Sequence, residues 1–201
     1  WTAYQNGDRN FCGNELPDGM RKNEAFPEPI ITPSTKAAQG EHDESVSPSE
    51  LYKRGAVDPG LYKELARISM RLYERGVSRA ADHGMIFVDT KYEFGISNGK
   101  IMLMDEVNTP DSSRYWMKDD YESRFEKGEE PRKLDKEYVR TWLSEQGFTG
   151  DGEPPKLTDD IRVEASARYM EVVEKFTKEP MQLDVGPVDE SIYSILNPFA
   201  Y

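Results

Sequence analysis

The sequence predicts an α+β fold, in which an antiparallel or mixed sheet carries a hairpin and helices pack on one side of it. A helical pattern begins at Asp58-Pro59 and continues to Gly84. Two strand-like segments, "MIFVDTKYEF" and "KIMLMDEV", are joined by Asn98-Gly99, the dipeptide that best suits a tight hairpin turn. Two further helical patterns follow the hairpin.

The first helix has clear start and core signals. Asp58 is a suitable N-cap, and Pro59 suits the first turn. Apolar residues recur at helical spacing at Leu61, Leu65, Ile68 and Leu72. This stripe predicts ordinary core packing. Before the helix, the segment from Trp1 to about Ser49 is rich in Pro and Gly and predicts ordered loops with a short strand or two.

The two later helices are predicted over Leu134 to Gln146 and from Thr158 to about Thr177. Their inward residues are expected to be Val139, Trp142 and Leu143 in the first, and Ile161, Ala165, Tyr169, Val172 and Phe176 in the second. The charged run from Lys118 to Lys133 predicts a solvated loop.

Composition limits the possible partners. Acidic residues outnumber basic ones by 38 to 26, and the formal charge of -12 disfavours nucleic acid and anionic lipid as partners. No apolar run reaches the roughly 18 residues of a membrane span. The single cysteine, Cys12, excludes an intramolecular disulfide and, with only two histidines, argues against a zinc site. We therefore expect a cytoplasmic protein that binds any anionic ligand through a local basic cluster or a metal ion.

Charged residues cluster around the predicted hairpin. Asp89, Lys91 and Glu93 alternate along the first strand and share one face, and this triplet alone favours a solvated surface with weak ion pairs. The second strand, however, ends at Asp105-Glu106, just before the turn "NTPDSSR". Carboxylates on neighbouring strands suit Mg²⁺, which also bridges to phosphates.

The hairpin register decides whether Glu93 and Asp105 can share a metal ion. A strict two-residue turn pairs Glu93 with Met104 and turns Asp105 away. One extra loop residue or a bulge would place Asp105 opposite Glu93. We predict the bulged or longer loop.

These motifs resemble the SAICAR synthetase family, the phosphoribosylaminoimidazole-succinocarboxamide synthases. "VDTKYEFG" is similar to the family's D-x-K-x-E-F-G, and "DEVNTPDSSRYW" to its D-E-x-x-T-P-D-S-S-R-[FY]-W. "PEPIITPSTKAAQGEHDESVS" and "LDKEYVRTWL" also match family segments, so the resemblance covers roughly Trp1 to Thr177. It implies that residues 1–178 form the larger, substrate- and metal-binding lobe of an ATP-grasp or kinase-like fold, and that 179–201 form a C-terminal extension.

The resemblance implies a ligase of de novo purine biosynthesis. Its substrates would be ATP, carboxyaminoimidazole ribonucleotide and L-aspartate, and its products SAICAR, ADP and phosphate. The ribonucleotide's carboxylate needs a leaving group before an amine can attack it, so an acyl phosphate is the expected intermediate.

The resemblance also implies residue roles. Glu93 and Asp105 would hold the Mg²⁺ that bridges the ATP phosphates and the substrate carboxylate. Asp89 and Lys91 would line the imidazole nucleotide site, with Lys91 neutralising an anionic oxygen, and Arg114 would bind the ribose phosphate or a carboxylate. Weaker substrate-binding candidates are Asp111, Ser112, Ser113, Lys36, His42, Asp43, Lys136 and Arg140.

Several of these weaker candidates have a structural alternative. Asp111, Ser112 and Ser113 suit turn chemistry as well as ligand binding. His42 is expected to serve binding or loop structure rather than to act as a general base. Lys136 and Arg140 lie one helical turn apart and could reach an anionic group or simply face solvent.

The sequence also departs from the family pattern. Glu137 stands where the family commonly has Gln, and the segment after about Lys178 has no recognised counterpart. The family's ATP-binding lobe, with its glycine-containing loop and R-G-x-x-x-G-S-type segment, would precede Trp1. We therefore expect the chain to be a portion of a longer polypeptide. The alternatives are a non-catalytic or incomplete domain of the same fold, or an unrelated magnesium-dependent hydrolase that works without aspartate.

Overall fold

The computed structural model describes residues 1–35, 43–148, 150, 152–181, 187 and 197. Helices and short antiparallel sheets alternate along the chain, which confirms the α+β class. The helices are α1 (Thr2–Gln5), α2 (Pro48–Lys53), α3 (Pro59–Ala81), α4 (Tyr121–Lys127), α5 (Glu137–Glu145) and α6 (Asp159–Thr177). The strands are β1 (Asn10–Phe11), β2 (Asn14–Glu15), β3 (Met85–Thr90), β4 (Glu93–Ser97), β5 (Lys100–Met104) and β6 (Ser113–Met117).

The strands pair in three two-stranded antiparallel sheets: β1 with β2, β3 with β6, and β4 with β5. The β3–β6 pair carries the core. Phe87 lies opposite Tyr115, and the register shifts by one residue before Asp89, which pairs with Arg114. This bulge leaves Val88 unpaired.

The core lies between the β3–β6 pair and helices α3 and α6. Its centre is Tyr115, whose ring lies 5.1 Å from that of Phe87 and 5.8 Å from that of Phe176. The buried side chains of this core are Ala80, Met85, Phe87, Tyr115, Met117, Leu134 and Val172. Among the helices of the described residues, none is long and apolar enough to span a membrane.

Helix α3 begins as its sequence predicts. The Asp58 carboxylate accepts hydrogen bonds from the backbone N–H groups of Gly60 and Leu61, at 2.8 and 3.1 Å. The helix packs against β3, and at the contact Gly76 is buried. A Cβ atom on Gly76 would lie only 2.8 Å from the Phe87 ring, so the glycine permits this close approach.

The predicted hairpin differs from the observed one in two respects. "MIFVDTKYEF" is not one strand, because β3 ends at Thr90 and β4 begins at Glu93. The predicted bulge at the hairpin turn is also wrong, since Ser97 pairs with Lys100 and Glu93 with Met104. The physical reason is that Asn98 and Gly99 both adopt positive φ, at 51° and 73°, and this closes the turn without an extra residue.

Four helices also differ from expectation. The short helix α1 lies inside the predicted loop region, and α2, which was not predicted, begins at the end of that region. α4 forms within the predicted solvated loop from Lys118 to Lys133. An Arg124–Asp120 ion pair of 2.7 Å and stacking of Tyr121 on Trp116 support α4. α5 begins at Glu137 rather than near Leu134. α6 matches its prediction, with Thr158 as the N-cap. Most of segment 179–201 lies outside the described residues.

We expect Gly76→Ala to destabilise the fold, although alanine is the better helix former. The added methyl group would overlap Phe87 and approach the Asn108 amide at 3.0 Å. Overpacking of this kind costs about 1–3 kcal/mol in the free energy of unfolding. Urea unfolding measures it, with Ser78→Ala on the exposed face of the same helix as the matched control. Equal or greater stability of Gly76→Ala would contradict the close packing described here.

Candidate active site

Charged side chains gather where β3 ends and β6 begins, and the antiparallel pairing of these strands positions them. Asp89 and Arg114 are cross-strand partners, and Arg114 Nη1 donates a hydrogen bond to the Asp89 carboxylate. The other terminal nitrogen, Nη2, donates to Glu137 Oε1 at 3.2 Å. Arg114 is thus held between a strand carboxylate and a helix carboxylate.

Glu137, in the first turn of α5, also accepts a hydrogen bond from Arg140 Nη1 at 2.6 Å. Burial alone would raise the pKa of Glu137, but the hydrogen bond from Arg140 and the nearby charge of Arg114 hold that pKa below its usual value. Glu137 is therefore ionised at neutral pH. We call Asp89, Arg114, Glu137 and Arg140 the Arg114 cluster.

A second group of charges surrounds Lys91, in the two-residue link between β3 and β4. Lys91 Nζ lies 2.8 Å from Glu93 Oε1 and 3.7 Å from Asp43 Oδ2. The hydrogen bond to Glu93, together with the charges of Glu93, Asp43 and Asp105, raises the pKa of Lys91. We call Asp43, Lys91, Glu93 and Asp105 the Lys91 cluster.

Asp105 joins the Lys91 cluster by a route that differs from the predicted bulge. β5 ends at Met104, and Asp105 adopts a left-handed backbone conformation with φ of 62°. The chain turns at this residue, and its carboxylate is close enough for its charge to raise the pKa of Lys91. Glu93 and Asp105 thus share a neighbourhood, although they are not cross-strand partners.

The turn between β5 and β6 is fixed by its own hydrogen bonds. The Ser113 hydroxyl is buried and donates to Thr90 Oγ1 at 2.8 Å, and the Lys91 N–H donates to the Ser112 carbonyl at 3.2 Å. Lys136 Nζ lies 3.4 Å from Asp111 Oδ1, which ties the start of α5 to the turn. These contacts give the two serines structural roles, and substrate binding by Asp111, Ser112 and Ser113 stays a prediction.

Asn108 anchors the same turn to the core. Tyr92 donates a hydrogen bond to Asn108 Oδ1 at 2.7 Å, and Tyr115 donates to the Asn108 carbonyl at 2.5 Å. Burial raises the pKa of Tyr92 to about 12, so this phenol remains a donor at neutral pH. The backbone of Asn108 has φ of 58°, a conformation that asparagine tolerates better than most residues.

Asp135 is a structural residue that sequence reasoning missed. It is only 1% exposed, and its two carboxylate oxygens accept hydrogen bonds from the Tyr115 N–H at 3.0 Å and the Glu137 N–H at 2.9 Å. Burial raises the pKa of Asp135 above its usual value. This carboxylate joins β6 to the start of α5 and so sets the position of Glu137 against Arg114. The motif "LDKEYVRTWL" contains Asp135 and Glu137, but neither was singled out as a site residue.

The structure therefore brings most predicted site residues into two adjacent clusters, linked by the closely spaced Asp89 and Lys91. Lys36 and His42 lie outside the described residues. Over the part of the chain that the structure describes, no group of three or more His, Cys, Asp or Glu side chains is arranged to hold a metal ion. Mg²⁺ commonly takes one or two protein carboxylates and completes its shell with water and phosphate oxygens. Glu93 and Asp105 fit that requirement.

Together, the fold and the two clusters define an α+β protein that gathers carboxylate, ammonium and guanidinium groups beside one strand pair. The family model for SAICAR synthetase matches residues 3–156. The chain therefore belongs to the SAICAR synthetase family, which confirms the resemblance found in its motifs.

Curated relatives and solved structures agree with this assignment. The chain is 52% identical over 204 residues to the phosphoribosylaminoimidazole-succinocarboxamide synthase of Bacteroides thetaiotaomicron, in a match covering 98% of this chain and 65% of that protein. It is 43% identical to the chloroplastic enzyme of Arabidopsis thaliana, over 96% of this chain and 46% of the relative. The SAICAR synthase of Saccharomyces cerevisiae, solved with SAICAR, superimposes with a TM-score of 0.73 at 34% identity, covering 91% of this chain and 57% of that one. The chain thus spans less than two thirds of the length of these relatives.

We expect Asp135→Asn to weaken the fold, because an amide has only one acceptor oxygen for the two backbone N–H groups that the carboxylate now satisfies. A buried N–H left without a partner costs about 1–3 kcal/mol. Chemical denaturation measures this loss in the free energy of unfolding. Asp18→Asn serves as the control, since that carboxylate is 90% exposed, and it should stay within about 0.5 kcal/mol of the parent protein. Equal stability of the two variants would remove the structural role assigned to Asp135.

Proposed function

We propose that the chain contributes the substrate- and metal-binding lobe, residues 1–178, to an ATP-dependent ligase that joins carboxyaminoimidazole ribonucleotide to L-aspartate and yields SAICAR, ADP and phosphate. Membership of the SAICAR synthetase family supports this assignment. The single structural observation that carries it is the adjacency of the Lys91 and Arg114 clusters. One offers carboxylates and an ammonium group, and the other offers guanidinium groups for an anionic nucleotide.

Cations in the two clusters would bind the ribonucleotide. Arg114 presents a planar fork suited to a phosphate or carboxylate. Arg140 of α5 shares the Glu137 carboxylate with it, and Lys136, just before α5, pairs with Asp111. Lys91 would neutralise an oxygen of the ribonucleotide's carboxylate or of the phosphoryl group. Its raised pKa keeps this ammonium charged throughout the neutral range.

The reaction follows from the chemistry of a carboxylate. An oxygen of the ribonucleotide's carboxylate attacks the γ-phosphorus of ATP, so that an acyl phosphate forms and ADP leaves. The amino group of aspartate then attacks the acyl carbon, the C–O bond to phosphate breaks, and the amine's proton passes to phosphate or solvent. Holding these reactants in line is the main catalytic contribution available to the protein.

Glu93 and Asp105 would hold Mg²⁺ beside Lys91, and the ion would supply charge neutralisation for the ATP phosphates. The solved structures that the chain resembles include a SAICAR synthetase described in complex with ADP, at 26% identity and a TM-score of 0.58. For the setting of the reaction we propose the cytoplasm, in keeping with the single cysteine. Residues 179–201 would form a C-terminal extension.

The assignment is tested by ADP release from the protein expressed from its complete reading frame. The assay contains ATP, Mg²⁺, carboxyaminoimidazole ribonucleotide and L-aspartate, and each component is omitted in turn. Release that requires all four, with SAICAR as the product, is the expected result. Release that continues without aspartate would indicate a hydrolase. Absence of release together with failure to bind SAICAR would indicate a non-catalytic domain.

We expect Glu93→Gln and Asp105→Asn each to lower kcat by about 10²–10³-fold, the scale on which removal of one charge-stabilising group acts. Both variants should keep their thermal melting temperature, because Glu93 begins β4 and Asp105 follows β5, and neither residue belongs to the buried core. ADP release at saturating substrates and a titration of Mg²⁺ measure the effect. Glu126→Gln and Asp18→Asn are the matched controls on exposed carboxylates and should stay within about twofold. Normal kcat in the hairpin variants would remove Glu93 and Asp105 from the metal site.

A further inference from the structure

The cations proposed to bind the ribonucleotide already have internal partners. Arg114 is bound to Asp89 and Glu137, Arg140 to Glu137, and Lys136 to Asp111. An incoming anion therefore meets guanidinium and ammonium groups that carboxylates of the same chain occupy. Binding must exchange at least some of these internal ion pairs for pairs with the ligand.

Glu137 differs from the other two carboxylates because one of its oxygens serves two arginines. Oε1 accepts from Arg114 Nη2 at 3.2 Å and from Arg140 Nη1 at 2.6 Å. The Glu137 side chain is only 20% exposed, whereas those of Asp89 and Asp111 are 52% and 53% exposed. Solvent therefore screens the pairs of Glu137 least.

The position of Glu137 is fixed from two directions. Its backbone N–H donates to the buried Asp135 carboxylate, which also accepts from β6 next to Arg114. Its side chain then reaches back to Arg114 across the junction between β6 and α5. The carboxylate is built into the framework and does not depend on a flexible surface contact.

We propose that Glu137 is an internal surrogate for the ligand anion: it holds Arg114 and Arg140 in the binding position when the site is empty, and it lowers the affinity for the anionic ligand that must displace it. The identity of that ligand, the phosphate or a carboxylate of the ribonucleotide, rests on the proposed function. Glu137 is thus a positioning residue that acts through the two arginines and tunes how readily product leaves.

The negative charge of Glu137 leads to a specific expectation for ligand affinity. Removal of a residue that merely supports a binding site weakens binding. Neutralisation of Glu137 with retention of its acceptor oxygen should instead tighten binding, because the guanidinium groups keep a hydrogen-bond partner but lose a competing anion. The gain should shrink as salt is added, since it is electrostatic in origin.

The test is a calorimetric titration of Glu137→Gln in the protein expressed from its complete reading frame. Two probes are titrated separately in magnesium-free buffer with chelator: inorganic pyrophosphate, which reports on the anion site alone, and SAICAR, which reports on the proposed ligand. At low salt we expect Kd for both probes to fall about five- to tenfold. At about 0.5 M salt, where charges act over only a few ångströms, the difference should fall below about twofold.

Two further variants serve as a control and as a second test. Glu64→Gln neutralises a glutamate that is hydrogen-bonded to Arg67 on α3 and should leave both affinities within about twofold of the parent. Glu137→Asp keeps the charge but shortens the reach to the two arginines. Its affinity for both probes should lie between that of the parent protein and that of Glu137→Gln. This variant tests the same proposal if the glutamine variant does not fold.

The outcomes separate this inference from the proposed function. Tighter pyrophosphate binding by Glu137→Gln, lost at high salt, supports the surrogate role. Unchanged or weaker binding of pyrophosphate by a folded Glu137→Gln or Glu137→Asp overturns it. If pyrophosphate behaves as expected but the parent protein does not bind SAICAR, the surrogate role stands and the proposed ligand is wrong.

Discussion

The pairing of β3 with β6 is the interaction on which the rest of the structure depends. It buries Phe87 against Tyr115 and presents both rings to α3 and α6. Burial of large aromatic surface of this kind is a major favourable term in folding. The same register continues past the core to place Asp89 beside Arg114. Stability and site geometry therefore come from one set of strand contacts.

Tyr115 connects that pairing to each element around the site. Its backbone N–H donates to Asp135, which sets the start of α5, and its hydroxyl donates to the Asn108 carbonyl, which fixes the turn before β6. The turn carries the residues that approach Lys91 and Lys136. A displacement of Tyr115 would thus move the strand, the helix and the turn together, so the core side chain positions charged groups that it does not touch.

Local signals in the sequence were sufficient where one short segment determines the structure. Asp58 and Thr158 mark the starts of α3 and α6 because an N-cap needs only its own side chain and the next turn of backbone. The hairpin turn at Asn98-Gly99 was located correctly for the same reason, whereas its register was predicted wrongly. We expected Asp105 to need a bulge in order to reach Glu93, but its left-handed backbone brings it near Lys91 without one. The roles of Asp135 and Glu137 depend on contacts with β6 that span 20 and 23 residues of the chain, and no local pattern encodes them.

The balance of charges within the site is set by local ion pairs rather than by the charge of the whole chain. A protein with a formal charge of -12 repels anions over most of its surface, but beyond a Debye length of about 8 Å that repulsion is largely screened. In the proposed function, the groups that an anionic ligand would meet at contact are Arg114, Arg140 and Lys136. Arg114 and Arg140 are held close together by one shared carboxylate oxygen, and like charges at such separations repel unless a carboxylate lies between them. Glu137, shared by two arginines, offsets that repulsion. In the role proposed for it, the same negative charge would limit the affinity for a ligand that has to replace it.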